Sequence, residues 1–374
     1  MTDAPLREGF TTGSAATAAA MAALSVLLGG IVPAAMEIPL PVKGTLGIPI
    51  ARVELSGTKA RGIVIKDGGD DPDVTHGEEI HAEVELIPGD EVRVDLCGGR
   101  GVGRVTLPGL PVPVGEAAIN PAPRRQIISG VLRELSASGT DFCGTVRVCI
   151  EVPRGAEIAA LTMNPRLGIV GGISILGTQG IIRPFSHASW KASIAQSLSV
   201  IRASGGDEAV FTTGRRSEEF YLNHFPGTGP ARMVQAADFF KFSMLQARAK
   251  RLKKVHWAIF IGKLVKHAQG FPYTHAKDWA IDFPLLADWC AQLGLTPFLT
   301  AQIRTANTAR QVLEMIPRES QATFIRMLMQ KARKNALRFS GCDALEIHYY
   351  LFDFDGNMIS NNPLHPQNRA YLTE

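Results

Sequence analysis

Four aspartates crowd into "KDGGDDPDVTHGEE", Lys66 to Glu79: Asp67, Asp70, Asp71 and Asp73, with His76 close behind. Like charges at that density cost stability unless they are solvated or meet a partner. One reading is a solvated turn. The other is a carboxylate cluster that steadies a cationic group or moves protons, with Asp67, Asp70 and His76 as the catalytic residues. Metal binding is not expected. A calcium loop wants Gly at its sixth position and Glu at its twelfth; counted from Asp67 these are Pro72 and Glu78, and the Gly fails. His76 alone cannot make a zinc site, which takes three or four protein ligands.

Four further stretches carry chemistry of another kind. In "FTTGRRS" and "FIGKLVKHAQG" an apolar run ends in a glycine followed by cations. Thr213, Gly214 and Arg215 in the first, and Gly262, Lys263 and Lys266 in the second, stand where a strand passes into a helix. The alternative is a plain basic helix face. The opening "GFTTGSAATAAAMAALSVLLGG" has Thr11, Thr12, Gly13 and Ser14 before an alanine-rich run. A helix beginning near Gly13 and capped by Thr12 or Ser14 would present free N–H groups to an anion. The bland alternative is an ordinary capped helix. "NPRLGIVGGISILGTQGIIRP" holds glycines at 168, 171, 172, 177 and 180 and lets a flat ligand or another backbone come close. Neither G-x-G-x-x-G nor a Walker A loop occurs in it.

These stretches need elements to hold them. Alternating runs at 51–57 and 60–68 predict two strands, and 80–99 predicts two more joined at Pro88-Gly89-Asp90. A helix over 124–135, a strand over 145–152 and a short helix near 155–163 follow. From residue 186 the pattern alternates: helix (N-cap Ser186), strand 208–213, helix 214–225, weak strand 231–236, helix from Asp238, strand 254–261, and a helix from Gly262. Asp238 is expected in a first helical turn, where it complements the dipole. Helices over 282–293, 305–316 and 319–339 precede a closing strand and an Asp355-Gly356 turn. The predicted architecture is an α+β domain over 1–184, then a Rossmann-like α/β domain over 185–374 with a mostly parallel sheet. Ligands of such sheets bind beyond the carboxyl ends of the strands.

The opening run is too rich in alanine to span a membrane, which takes roughly 20 strongly apolar residues. The leader before it, with Asp3, Arg7 and Glu8, is not basic as a signal peptide requires. Five scattered cysteines without a CxxC pair point to a reducing, cytoplasmic setting. Residues 1–184 hold 16 Lys and Arg against 20 Asp and Glu; residues 185–374 hold 23 against 15. The basic surplus of the second half suits a polyanionic ligand or a solvated face. No nucleic-acid or membrane partner is expected, and a homodimer is the assembly considered.

Taken together, "GFTTGSAA", "KDGGDDPDVTHG", "NPRLGIVGGISILGTQGIIRP", "GKLVKHAQG" and "THAKDWAIDF" resemble the cobalt-precorrin-5B C-methyltransferases, the CbiD family, in order and over nearly the whole chain. Two departures stand out: Ser14-Ala15 where the family usually has Thr-Cys, and His267 where it is usually aliphatic. The resemblance implies methyl transfer from S-adenosylmethionine to ring carbon 1 of cobalt-precorrin-5B, giving cobalt-precorrin-6A, with cobalt present only as part of the substrate. The donor is then expected at Thr213, Gly214, Arg215, Gly262 and Lys263. The carboxylates fringing the ring are expected at Thr11, Thr12, Gly13, Ser14, Arg166 and Lys266. The acidic loop is expected to face the reaction centre across the cleft between the domains. A non-catalytic tetrapyrrole carrier and a nicotinamide-dependent corrinoid reductase are the alternatives; the reductase lacks its Gly-rich fingerprint.

Overall fold

The computed structural model describes residues 6–361; Asp3 lies outside them. The chain divides into two compact units, Met1–His187 and Ala188–Glu374. The first runs β1 (Gly9–Phe10), α1 (Thr12–Leu27), β2 (Ala35–Pro39), β3 (Thr45–Pro49), β4 (Arg52–Ser56), β5 (Lys59–Ile65), β6 (Glu79–Pro88), β7 (Arg93–Gly98), β8 (Arg104–Val105), α2 (Pro121–Ala137), β9 (Gly144–Glu151), α3 (Gly155–Ala159), β10 (Ile169–Val170) and β11 (Ile181–Ile182).

Its main sheet has the order β4-β5-β6-β9-β7, antiparallel except for β7 beside β9. The sequence pattern predicts β6 and β7 as partners across Pro88-Gly89-Asp90. Instead β9 enters between them, because Val146, Val148 and Ile150 complete the buried face beside Val84 and Leu96. The expected alanine-rich helix is α1, buried at every residue from Thr12 to Leu24. Alanine suits it twice over: it is the best helix former, and it lets two backbones approach. A Cβ added at Gly62 of β5 would stand 2.0 Å from the Ala19 carbonyl oxygen, so β5 and α1 meet main chain to main chain. On its other side α1 packs on α2, whose Gly130 sits against Thr17 and Met21.

The second unit runs α4 (His187–Ala203), β12 (Glu208–Thr212), α5 (Arg215–His224), β13 (Met233–Gln235), α6 (Phe240–Ala249), β14 (Lys254–Phe260), α7 (Ile261–Ala268), α8 (Phe283–Gln292), α9 (Pro297–Arg304), α10 (Ala309–Met315), α11 (Arg318–Ser340), β15 (Glu346–Phe352) and β16 (Met358–Asn361). The sheet order is β13-β12-β14-β15-β16; the first four strands are parallel and β16 is antiparallel. Both faces are covered, and the strands are apolar on both, as parallel strands are. Phe211, Trp257, Tyr349 and Leu351 pack with residues of α4, α6, α7 and α11, including Leu198, Phe240, Leu264 and Leu328. Val210, Ala258, Tyr350 and Phe352 point the other way, against Tyr221 of α5.

Three expectations here are corrected. The helix predicted over 305–316 is shorter, α10, and a separate helix α9 precedes it, opened by Pro297 with Thr296 as N-cap. The closing strand does not end the sheet, because Asp355-Gly356 turns the chain back into β16. Asp238 is not in a helical first turn; α6 begins at Phe240, and the carboxylate binds Lys263 and Thr274.

The contact beneath α1 gives the first prediction. Gly62→Ala should destabilise the protein by at least about 1–3 kcal/mol, the cost of overpacking a filled interior. Gly47→Ala, where an added Cβ meets nothing within 4 Å, should leave the denaturant midpoint almost unchanged. Comparing the two urea midpoints checks it; equal shifts would refute the backbone contact.

Candidate functional site

The chain leaves β12 through α5 towards β13 on one side, and leaves β14 through α7 towards β15 on the other. Between the carboxyl ends of β12 and β14 the winding therefore reverses, the place at which open sheets of this kind form their ligand crevice. Thr213, Gly214 and Arg215 follow β12. Ile261, Gly262 and Lys263 follow β14. An added Cβ at Gly214 or at Gly262 would meet nothing within 4 Å. Gly262 is a helix residue, since α7 already begins at Ile261 with Phe260 as N-cap.

Around this crevice the polar groups have distinct tasks. Ser217 Oγ accepts from Thr213 N at 3.0 Å and donates to the Gly214 carbonyl at 2.9 Å, which fixes the first turn of α5. Arg215 is exposed. Arg216 donates to the Phe354 carbonyl and lies over the rings of Phe220, Phe260 and Phe354. Lys263 pairs with Asp238 and donates to the Thr274 carbonyl at 3.1 Å; Lys266 donates to the same carbonyl at 2.9 Å. Thr274 Oγ1 donates to Asp238 Oδ1 at 2.9 Å. Asp238 and Thr274 are the residues that sequence reasoning missed as site members. The signal was present in "YTHAKDW", but the partner lies 36 positions earlier. His267 faces the other way, stacked on Phe240 at 3.6 Å with Nδ1 near Tyr349 Oη; complete burial pushes its pKa well down, so it is a neutral core residue.

In the first unit each aspartate of the acidic loop has its own partner. Asp67 binds the Arg7 guanidinium, whose hydrogen bond holds the carboxyl below its ordinary range, and also accepts from Gly69 N. Asp70 accepts from Arg7 N at 2.6 Å, and Asp71 from Phe185 N at 3.0 Å. Asp73 accepts from Thr75 N and Thr75 Oγ1 and pairs at 3.0 Å with Lys66, whose side chain is wholly buried. The loop thus ties the start of the unit (Arg7) and its end (Phe185) to β5. His76 Nδ1 accepts from Gly68 N at 3.0 Å, so the exposed end of the ring carries Nε2–H, a donor. A general base needs a free lone pair, and in this arrangement His76 has already used it. Among the described residues no group of three His, Cys, Asp or Glu is placed to hold a metal ion.

The helix start at Thr11–Ser14 is also closed, which corrects the expectation of free N–H groups there. The N-cap is Thr11, whose Oγ1 accepts from Ser14 N. Gly13 N donates to the Leu176 carbonyl and Thr11 N to the Gly180 carbonyl. Thr12 Oγ1 accepts from Leu176 N, and Ser14 Oγ donates to Gly180 O at 2.8 Å. The glycine-rich stretch is therefore the lid of this helix: a Cβ at Gly177 would fall 2.3 Å from Thr11 Oγ1. Gly172, likewise, lies against the backbone of Gly101. Arg166 sits half-buried on a 3₁₀ turn, Asn164–Leu167, whose Asn164 bonds Gly172 and Ser174. Two of the three groups of predicted site residues are thus brought together in themselves, the crevice set and the loop set.

The loop yields a pH prediction. Burial alone would raise the Asp73 carboxyl, but Lys66 and the Thr75 hydrogen bonds outweigh it and hold the pKa below 3.8. A carboxylate depressed in the folded state contributes stability above its unfolded pKa and loses it as pH falls through the folded value. Asp73→Asn leaves Lys66 buried and unpaired, so at pH 7 it should cost about 3–5 kcal/mol. That difference from the parent should shrink as pH drops below about 4. Denaturation midpoints of both proteins between pH 2.5 and 7 (approximately, about the Asp range) check it; a constant difference would refute the pairing.

Residues 1–184 match the family profile described as CbiD, and residues 273–363 match the one described as CbiD, C-terminal domain. A cobalt-precorrin-5B C(1)-methyltransferase of Nitratidesulfovibrio vulgaris is 47% identical over 365 residues, 96% of this chain and 93% of its own length. A protein of the same name from Geobacillus sp. (strain WCH70) is 43% identical, over 95% of this chain and 96% of its own. A crystal structure of a cobalamin biosynthesis protein (cbiD) from Archaeoglobus fulgidus is 29% identical and covers 70% of this chain and 79% of that one, at a TM-score of 0.39. None of the described helices is long and apolar enough to cross a membrane. With relatives this similar across almost its entire length, the chain belongs to the CbiD family.

Proposed function

We propose that this protein transfers a methyl group from S-adenosylmethionine to carbon 1 of cobalt-precorrin-5B, giving cobalt-precorrin-6A, with the donor bound at the β12/β14 crevice of a Rossmann-like second unit. The observation that carries the placement is the reversal of winding between β12 and β14, with open space above Gly214 and Gly262. Cobalt belongs to the substrate, and the reaction needs no protein metal.

The chemistry is an in-line displacement at a sulfonium. The ring carbon supplies the electron pair, the methyl–sulfur bond breaks, and S-adenosylhomocysteine leaves neutral at sulfur. The protein needs no nucleophile of its own for this step. Its work is to hold donor and ring carbon in line, and orientation of that kind is worth roughly 7–11 kcal/mol at best. Thr213, Gly214 and Arg215 approach the donor from one strand end, Gly262 and Lys263 from the other. Arg166 serves the ring carboxylates, and Lys266, whose ammonium shares the Thr274 carbonyl with Lys263, serves a carboxylate of the donor or of the ring. In the acidic loop Asp67 and Asp73 pair with Arg7 and Lys66, while Asp70 and Asp71 accept hydrogen bonds from the backbone N–H groups of Arg7 and Phe185. We assign Asp70 an electrostatic part in the reaction, with His76 as a hydrogen-bond donor through Nε2.

Two measurements test this reading. Gly214→Val should keep the fold, because its Cβ has open space and the backbone there is extended. It should weaken S-adenosylhomocysteine at least about tenfold, equivalent to 1.4 kcal/mol, in a calorimetric titration. Unchanged affinity would move the donor elsewhere. Asp70→Asn and His76→Ala, assayed in single turnovers with saturating donor, should slow methyl transfer with binding intact. Parent rates in both would leave the loop a purely structural clamp. Titration with NADPH separates the reductase alternative, for which a binding isotherm is required and here none is expected; a carrier would bind corrinoid but not S-adenosylmethionine.

A further inference from the structure

Lys263 and Lys266 converge on one atom. Their ammonium groups stand 3.1 and 2.9 Å from the carbonyl oxygen of Thr274, a residue with no exposed surface. Two like charges held this close need negative charge nearby. Asp238 supplies one, bonded to Lys263 and to Thr274 Oγ1. Lys266, only 7% exposed, has no carboxylate partner among the described residues; its acceptor is a neutral carbonyl. The cluster thus carries one positive charge more than it answers. Burying an unanswered ammonium is costly, and burial, reinforced by Lys263, pushes the Lys266 pKa down against the pull of Asp238. The side chain nearest in the chain, His267, is neutral and turned into the core. Flanking Thr274, Tyr273 and His275 stack with centroids 6.0 Å apart and an interplanar angle of 19°, and Tyr273 continues onto Phe239 at 5.1 Å.

We infer that Lys263, Lys266, Asp238 and Thr274 form a single subsite that takes one carboxylate group of a ligand whose planar part lies along Tyr273 and His275. The two lysines, which sequence reasoning assigns to different ligands, serve the same one. A carboxylate received there gives Lys266, which has a further ammonium hydrogen to donate, a hydrogen bond to a charged acceptor beside its bond to the neutral carbonyl, and brings the cluster to neutrality. Two sources carry that chemistry under the function proposed above, on which the identity of the ligand rests: the amino-acid carboxylate of the donor, and an acetate or propionate arm of the ring.

Paired ligands that differ only in carboxylate distinguish them. The first pair is S-adenosylhomocysteine and the corresponding S-adenosyl-thiopropylamine, which lacks the carboxylate. The second is cobyrinic acid and its fully methyl-esterified form. Affinities are measured by calorimetry for the parent, for Lys266→Met and for Lys263→Gln, with folding followed by circular dichroism. In the parent, one pair should favour its carboxylate member by about tenfold or more, the scale of a charge-assisted bond. Lys266→Met should bring that preference close to unity and leave the other pair unaffected. The half-exposed Lys263 position decides the same ratio if Lys266→Met does not fold. Selectivities equal to those of the parent in folded variants overturn the subsite and leave the proposed function standing. A parent that binds neither S-adenosylhomocysteine nor cobyrinic acid overturns both.

Discussion

The reversal of winding between β12 and β14 is the constraint on which the account of the second unit turns. Two adjacent parallel strands send the chain to opposite sides, so the covering helices diverge where those strands end. Trp257, Phe240, Phe324 and Tyr349 are buried in the core on one face of the sheet, and Tyr221 and Tyr350 on the other. Several small residues of the protein are small because something presses on them, as Ala19 presses on Gly62. Gly214 and Gly262 have open space at their Cβ positions, and they differ from the other open glycines in standing at the ends of the two strands where the winding reverses.

The first unit uses its unusual residues in the opposite way. Two of its glycines are close contacts: Gly62 under Ala19, Gly177 on Thr11. Its aspartates are anchors that fasten Arg7, Lys66 and Phe185 to one loop. A cluster that repels itself on paper becomes stable when each carboxylate has a separate donor. Such a clamp fastens the loop to Arg7 at one end of the unit and to Phe185 at the other.

Local patterns were legible in the sequence and distant partners were not. The strands 52–56, 59–65, 208–212 and 254–260 follow from alternation or apolar runs bounded by turn residues, and α1 follows from its alanines. The insertion of β9 between β6 and β7 depends on pairing across more than 50 residues, and nothing near Pro88-Gly89 signals it. The helix start looks open because the lid over Thr12 lies 164 residues away at Leu176. Asp238 reads as a dipole partner from its place before a helix; its real partners, Lys263 and Thr274, belong to other elements. The helix α9 has eight residues and a single buried one, Ile303, too little apolar pattern to see. The strand-end glycines were found because a strand, a glycine and a cation in succession is a local signal.

The central claim is that the methyl donor sits where the sheet reverses. A crystal structure of the protein with S-adenosylhomocysteine bound tests it most directly. The account predicts the ligand between the carboxyl ends of β12 and β14, in contact with Gly214 and Gly262. Ligand density elsewhere, for instance against the glycine-rich stretch 168–180 of the first unit, would contradict it.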